Sequence, residues 1–275
     1  SIMYPIVANW VWNPNGWLAL RGFNDFAGSA AVHTMGGIAA LAAAIVLGPR
    51  LGKYNKNGST NIIPGHNLPL AATGGFILWF GWFGFNPGST LAAVGNWELI
   101  GVVVVNTFLA SAGGGISAMI YTYFSYGKID ITMVINGILA GLVAITAGCN
   151  VVDPLSAIVI GIFAGVLVDL GVIYIDKLKI DDPVGAIAVH GINGIFGTIA
   201  VGLFASEDGL FFGGGVSLLV TQCIGVLTIA IFSFIVTFII MKLLKNTIGI
   251  RVSREDEIAG IDSASFGVKS YSTYE

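Results

Sequence analysis

The chain carries two copies of one pattern 157 residues apart, and each copy sets a histidine inside an apolar run of membrane-crossing length. The first reads Asp25-Phe-Ala-Gly28-Ser-Ala-Ala-Val32-His33-Thr-Met-Gly-Gly37-Ile38, and the second Asp182-Pro-Val-Gly185-Ala-Ile-Ala-Val189-His190-Gly-Ile-Asn-Gly194-Ile195. Both have Asp eight residues before His, Gly five before, Val one before, and Gly-Ile at four and five after. An ionisable side chain within a bilayer is costly and usually marks function. Two in matching repeats point to a site at the repeat interface.

Composition agrees with a membrane protein: 55% of residues are hydrophobic and 10% charged, with a mean hydropathy of +0.87. A net charge of −3 argues against a nucleic-acid partner. Cys149 and Cys223 have neither metal nor redox spacing. No phosphate-cradling loop, nucleophile elbow, metal cluster or cofactor pattern stands in the sequence, so an enzyme is not expected. Seven runs reach spanning length, at 26–47, 69–88, 99–124, 131–149, 154–175, 184–204 and 216–241. If the loop 48–66 faces the cytoplasm, eleven of twelve basic residues fall on that side and only Arg21 does not. The helix of His33 then runs inward and that of His190 outward, an inverted repeat. Each histidine is expected about two turns into its helix, near the midplane, where the two meet. The polar segment 246–275 reads as a cytosolic tail behind a transmembrane domain 1–245. The apolar start Ser1–Trp12 is too short to span and reads as the end of a helix, so the chain is expected to be a C-terminal fragment or one piece of a split polypeptide.

Two neutral imidazoles side by side share a proton and line a polar path, which is the role expected of His33 and His190 rather than that of isolated core histidines. Asp25 and Asp182 stand at helix starts, where capping competes with function. Asp182, followed by Pro183, is read as mainly structural. Asp25 is weighed evenly between capping and favouring a cation at the outer mouth. Trp12, Trp79, Phe80, Trp82, Phe83 and Phe85, with Ser89 close by, suggest a cation-recruiting mouth by cation–π attraction, although such rings also anchor helices at headgroups. Asp169 is expected at the inner interface, near Lys177 and Lys179.

Together these residues resemble the ammonium transporter / methylammonium permease / Rhesus family, on its ammonium transporter branch. The resemblance is carried by Asp25–His33, Pro64-Gly-His-Asn-Leu-Pro69, Trp82-Phe-Gly-Phe-Asn-Pro-Gly-Ser89, Asp181–Gly191 and the tail stretch Gly249–Asp262, and covers essentially the whole chain. It implies an all-α polytopic fold of inverted repeats, with eleven helices in the whole family fold, and a homotrimer with one pore per subunit. Residues 1–12 would end the fourth helix. The resemblance also implies ammonium recruitment at Trp12 and Ser89 supported by Asp25, a pore gate at Phe85 beside Trp82, and a twin-histidine pore at His33 and His190. It implies a plasma-membrane protein whose cytoplasmic tail docks a PII-type signalling protein. Trp12 is followed by Asn-Pro-Asn-Gly where the family more often has glycines, and the helix of the other gate phenylalanine lies upstream. A sensor of the same fold, a carrier of a larger amine and a non-conducting fragment are the rival readings.

Overall fold

The computed structural model describes residues 2–268 and Tyr271. Ser1 and part of the Ser/Tyr-rich end of the tail, Lys269 included, lie outside the described residues. Among those described the chain is all-α, apart from a lone β-bridge between Tyr54 and Thr60.

A short helix α1 (Met3–Trp12) leads through an irregular segment to α2 (Ser29–Leu47). Next come α3 (Leu68–Gly88), α4 (Trp97–Tyr126), α5 (Ile131–Ile145), α6 (Pro154–Lys177), α7 (Ile187–Phe204) and α8 (Ser217–Thr247). Six of these helices are long and apolar enough to cross a membrane, and the protein is a multi-pass membrane protein. Polar caps set several starts. The Asn67 side chain accepts the Leu70 amide, Asp130 the amides of Thr132 and Met133, and Asp153 those of Leu155 and Ser156.

Lipid tails give apolar faces no reason to seek each other, so close approach through small residues holds such a bundle together. Helices α4, α5 and α6 form its largest unit, around Ala110, Ala140–Ile145, Ala157 and Ala164–Val168. A second core joins α1, the 18–31 segment and α8 through Val7, Leu18, Phe23, Val226 and Ile229. Ala30 and Ala31 belong to this second core, Ala188 and Val189 to the first. The two histidine segments therefore meet where the cores meet.

Two expectations are corrected. The run 131–149 does not stay helical: α5 stops at Ile145, and turns carry the chain to Asn150. The carbonyls freed there find partners outside the helix. Ser29 Oγ donates to the Val143 carbonyl, the Ala27 and Phe26 amides donate to Thr146 and Ala147, and Asn106 Nδ2 donates to Cys149 and Val152. The histidines also sit nearer their helix starts than two turns, because α2 and α7 both open in π turns, Ser29–Thr34 and Ile187–Ile192.

Beyond α8, the tail forms α9 (Arg254–Ala259) and α10 (Ile261–Phe266). Glu257 receives the Arg251 guanidinium at 2.8 Å and the Leu51 amide at 2.7 Å, and Arg251 also donates to the carbonyls of Leu47 and Gly48. The tail thus rests on the corner where α2 ends.

Candidate functional site

The repeated motif builds the same local structure twice. Asp25 is buried, and its carboxylate accepts the amides of Gly28, Ala30 and Ala31 at 3.1, 3.0 and 2.8 Å. Asp182 accepts those of Ala186 and Ile187 at 3.0 and 2.7 Å. Helix starts leave such amides unpaired, and a carboxylate there also faces the positive end of the helix dipole. The chain between each Asp and its helix turns back at Gly28 and Gly185, with φ of +117° and +76°, a region glycine enters without strain.

One turn on, the histidines meet. His190 Nδ1 and His33 Nδ1 are 3.2 Å apart, with ring planes 19° from parallel. One nitrogen must carry the hydrogen and the other a lone pair, so the pair is directional. His33 Nε2 is buried with no hydrogen-bond partner. On the other side of His33 lie the Trp82 ring, 5.0 Å between centroids and 20° from parallel, and the Phe85 ring at 5.7 Å. Trp82 and Phe85 are themselves 5.9 Å apart. The four side chains thus form one file: aromatic pair, His33, His190.

The remaining aromatic residues of α3 part company with this file, since successive residues turn about 100° around a helix. Trp79 stacks on Phe76 and Phe108, and Phe80 is 81% exposed. Trp12 is joined to Asp25 through the backbone: its indole Nε1 donates to the Asp25 carbonyl at 2.7 Å. Ser89 turns its hydroxyl to the Phe85 carbonyl at 2.9 Å, at the end of the helix that bears the gate rings. The Asp25 carboxylate, with its three amide partners, acts as a fixed negative end behind the mouth.

Asp169 differs from its expected interfacial role. It is 2% exposed within α6, and neither carboxylate oxygen has a hydrogen-bond partner. Lys179 instead reaches the Gly58 carbonyl. In an ideal helix Asp169 continues the line of Gly161 and Gly165, the face turned to α4 at Ala110 and Gly114, and so away from the lysines beyond the helix end.

Sequence reasoning overlooked three supports. Trp82 Nε1 donates to Thr146 Oγ at 3.0 Å, which fixes the indole plane. Ser29 Oγ donates to Val143 and accepts the Ala147 amide at 2.7 Å, so ring and histidine segment hang on the same end of α5. Asp181 binds Arg50 three times, through the backbone amide, Nε and Nη2, tying the chain just beyond α2 to the approach to α7. That guanidinium holds the Asp181 carboxyl below its ordinary range. The signal for Ser29 was present: where the first repeat has Ser29, the second has Ala186.

The sequence profile of the Ammonium Transporter Family matches residues 1–271. Ammonium transporter Amt2 of Archaeoglobus fulgidus is 44% identical over 297 residues, covering 100% of this chain and 62% of that protein. Ammonium transporter 1 member 2 of Oryza sativa subsp. japonica is 37% identical over 311 residues, with the same two coverages, 100% and 62%. The chain therefore spans about three fifths of the length of these curated relatives. Among solved structures, one titled "Sensor Amt Protein" is 45% identical and superposes with a TM-score of 0.90, over 96% of this chain and 67% of the other. The crystal structure of Candida albicans Mep2 is 32% identical with a TM-score of 0.84, over 93% and 58%.

Proposed function

Since the chain belongs to the ammonium transporter family, we propose that it conducts ammonium nitrogen across a membrane as neutral ammonia, along the file Trp82–Phe85–His33–His190. The observation that carries this reading is the His33–His190 contact at 3.2 Å directly beneath the two aromatic rings. An intact cation loses most of its hydration on entering so apolar a passage, whereas ammonia has little to lose. Ammonium is held at the mouth by the face of Trp12 and the Ser89 hydroxyl, with Asp25 supplying a negative field from behind its amide cage. There it releases a proton. Ammonia then passes Phe85 and exchanges hydrogen bonds with His33 and His190, whose single shared hydrogen leaves a donor at one end and an acceptor at the other. The proton takes a separate route. Potassium is refused because it has no proton to release.

In this reading loop 48–66 and the tail 246–275 face the cytoplasm of a plasma-membrane protein, with domain 1–245 in the bilayer. Asp182 keeps a structural role at the start of α7. The active form is a homotrimer with one path per subunit, and the tail docks a PII-type signalling protein. A sensing role is the second reading, favoured by the 45% identity to the structure titled "Sensor Amt Protein".

The test is the current evoked in proteoliposomes by an ammonium pulse, with a potassium pulse as control. A saturable current for ammonium alone supports transport. Silence with ammonium binding intact moves the assignment to sensing, and equal currents for both ions overturn the ammonia path.

A further inference from the structure

Hydroxyls in this bundle follow a habit that two polar residues break. Serine and threonine inside a helix commonly bond a carbonyl of the preceding turn. Here Thr73, Thr146, Thr198, Thr228 and Ser233 each reach four residues back, and Ser111, Ser117 and Thr122 three back. Thr34 Oγ reaches five back, to the Ser29 carbonyl at 2.9 Å, and Asn193 Nδ2 also reaches five back, to the Ala188 carbonyl at 3.0 Å. Five residues is the reach of a π turn. The two bonds fall on the two π turns that hold the histidines, and both residues are fully buried.

Their origin is independent. Thr34 follows His33 by one residue and Asn193 follows His190 by three, while the repeat mates at those places are Gly191 and Gly36. Two different side chains at two different positions thus close the same kind of turn. The turns also bear on each other: an added carbon on Gly194 would lie 2.7 Å from the Ser29 carbonyl oxygen, the Thr34 amide nitrogen and Thr34 Oγ alike.

We propose that Thr34 and Asn193 are positioning residues that hold the two π turns in register, so that His33 and His190 present Nδ1 to one another. This deepens the assignment of the histidine pair as the conducting path, and its geometric content stands apart from conduction. A π turn trades good hydrogen-bond geometry for an extra residue, so it needs support from outside the backbone ladder. A side-chain donor closing the five-residue loop provides that support. Without it the turn relaxes toward α geometry and swings its histidine out of the file.

The test uses nitrogen-15 histidine NMR on the protein in lipid bilayers, with exposed His66 as internal reference. The parent protein should show one Nδ1 as donor and one as acceptor, coupled across a hydrogen bond. Thr34→Val and Asn193→Leu keep shape and remove the donor. Each is expected to lose the coupling and show reduced ammonium current while remaining folded, and Thr34→Ser is expected to restore both. Coupling that persists in a folded Thr34→Val or Asn193→Leu protein overturns the proposal. Failure of both variants to fold also overturns it, in favour of a purely structural role. A parent protein with coupled rings and no ammonium current would sink the transport assignment and leave the positioning role standing.

Discussion

Gly37 of α2 lies against the backbone of Gly191 in α7, so close that a Cβ on Gly37 would fall 2.0 Å from the Gly191 amide nitrogen. The two histidine helices cross at that point, one residue past His190. Backbone cannot swing aside as a side chain does, so Gly37→Ala must force the helices apart. The expected cost is about 3 kcal/mol, read as a lowered midpoint in denaturant unfolding. Gly36→Ala is the internal control, because nothing lies within 4 Å of its would-be Cβ, and it should leave the midpoint nearly unchanged.

His33→Asp replaces a neutral ring beside Trp82 and Phe85 with a carboxylate able to accompany a bare cation. Potassium flux, absent in the parent, should appear in a proteoliposome assay. If potassium remains excluded, discrimination does not reside in the histidine pair.

Thr146→Val removes the partner of the Trp82 indole at a fully buried site. An unpaired buried N–H costs about 1–3 kcal/mol. Ammonium current should fall because the ring facing His33 loses its fixed plane, and Thr146→Ser should recover it. Equal currents in parent and valine variant would show that the indole is held by packing alone.

Acidification should open the Arg50–Asp181 tie. The guanidinium lowers the folded-state pKa of Asp181 beneath its unfolded value, chiefly by hydrogen bonding. Its contribution to stability is therefore complete above the ordinary carboxylate pKa, about 4, and is lost as pH falls through the lower folded value. The difference in unfolding midpoint between parent and Asp181→Asn should accordingly be steady from neutral pH down to about 5 and close below about 4. A gap that does not change with pH would mean that the Asp181 charge carries none of it.

The parts of this molecule that repeat were legible, and the parts that break the repeat were not. The Asp–Gly–His spacing foretold two capped helix starts and a histidine from each, because capping and glycine turns are local and leave a fixed signature. The π turns escaped notice, since an apolar run such as Ala30-Ala31-Val32 reads alike in α or π geometry. The early end of α5 escaped for a related reason. Residues 131–149 are apolar throughout, and only the arrival of Ser29 and Asn106 from distant segments lets the chain leave the helix there. Asp169 was misjudged because closeness to Lys177 along the chain says nothing about which way a helical side chain turns. Thr34 and Asn193 were visible as letters, polar where their mates are glycine, yet the meaning of that asymmetry depends on a five-residue reach no sequence pattern prints.

The π turns carry a consequence for chain length. Each turn of this kind accommodates one residue more than an α-helix would. Deleting a single alanine, Ala30 or Ala31, would touch no residue of the file, yet closing the gap as ordinary helix would rotate the remainder of α2 by about 100°. At these alanines, then, the number of residues matters more than their identity, and substitutions that fill little extra space should persist where any shortening is purged.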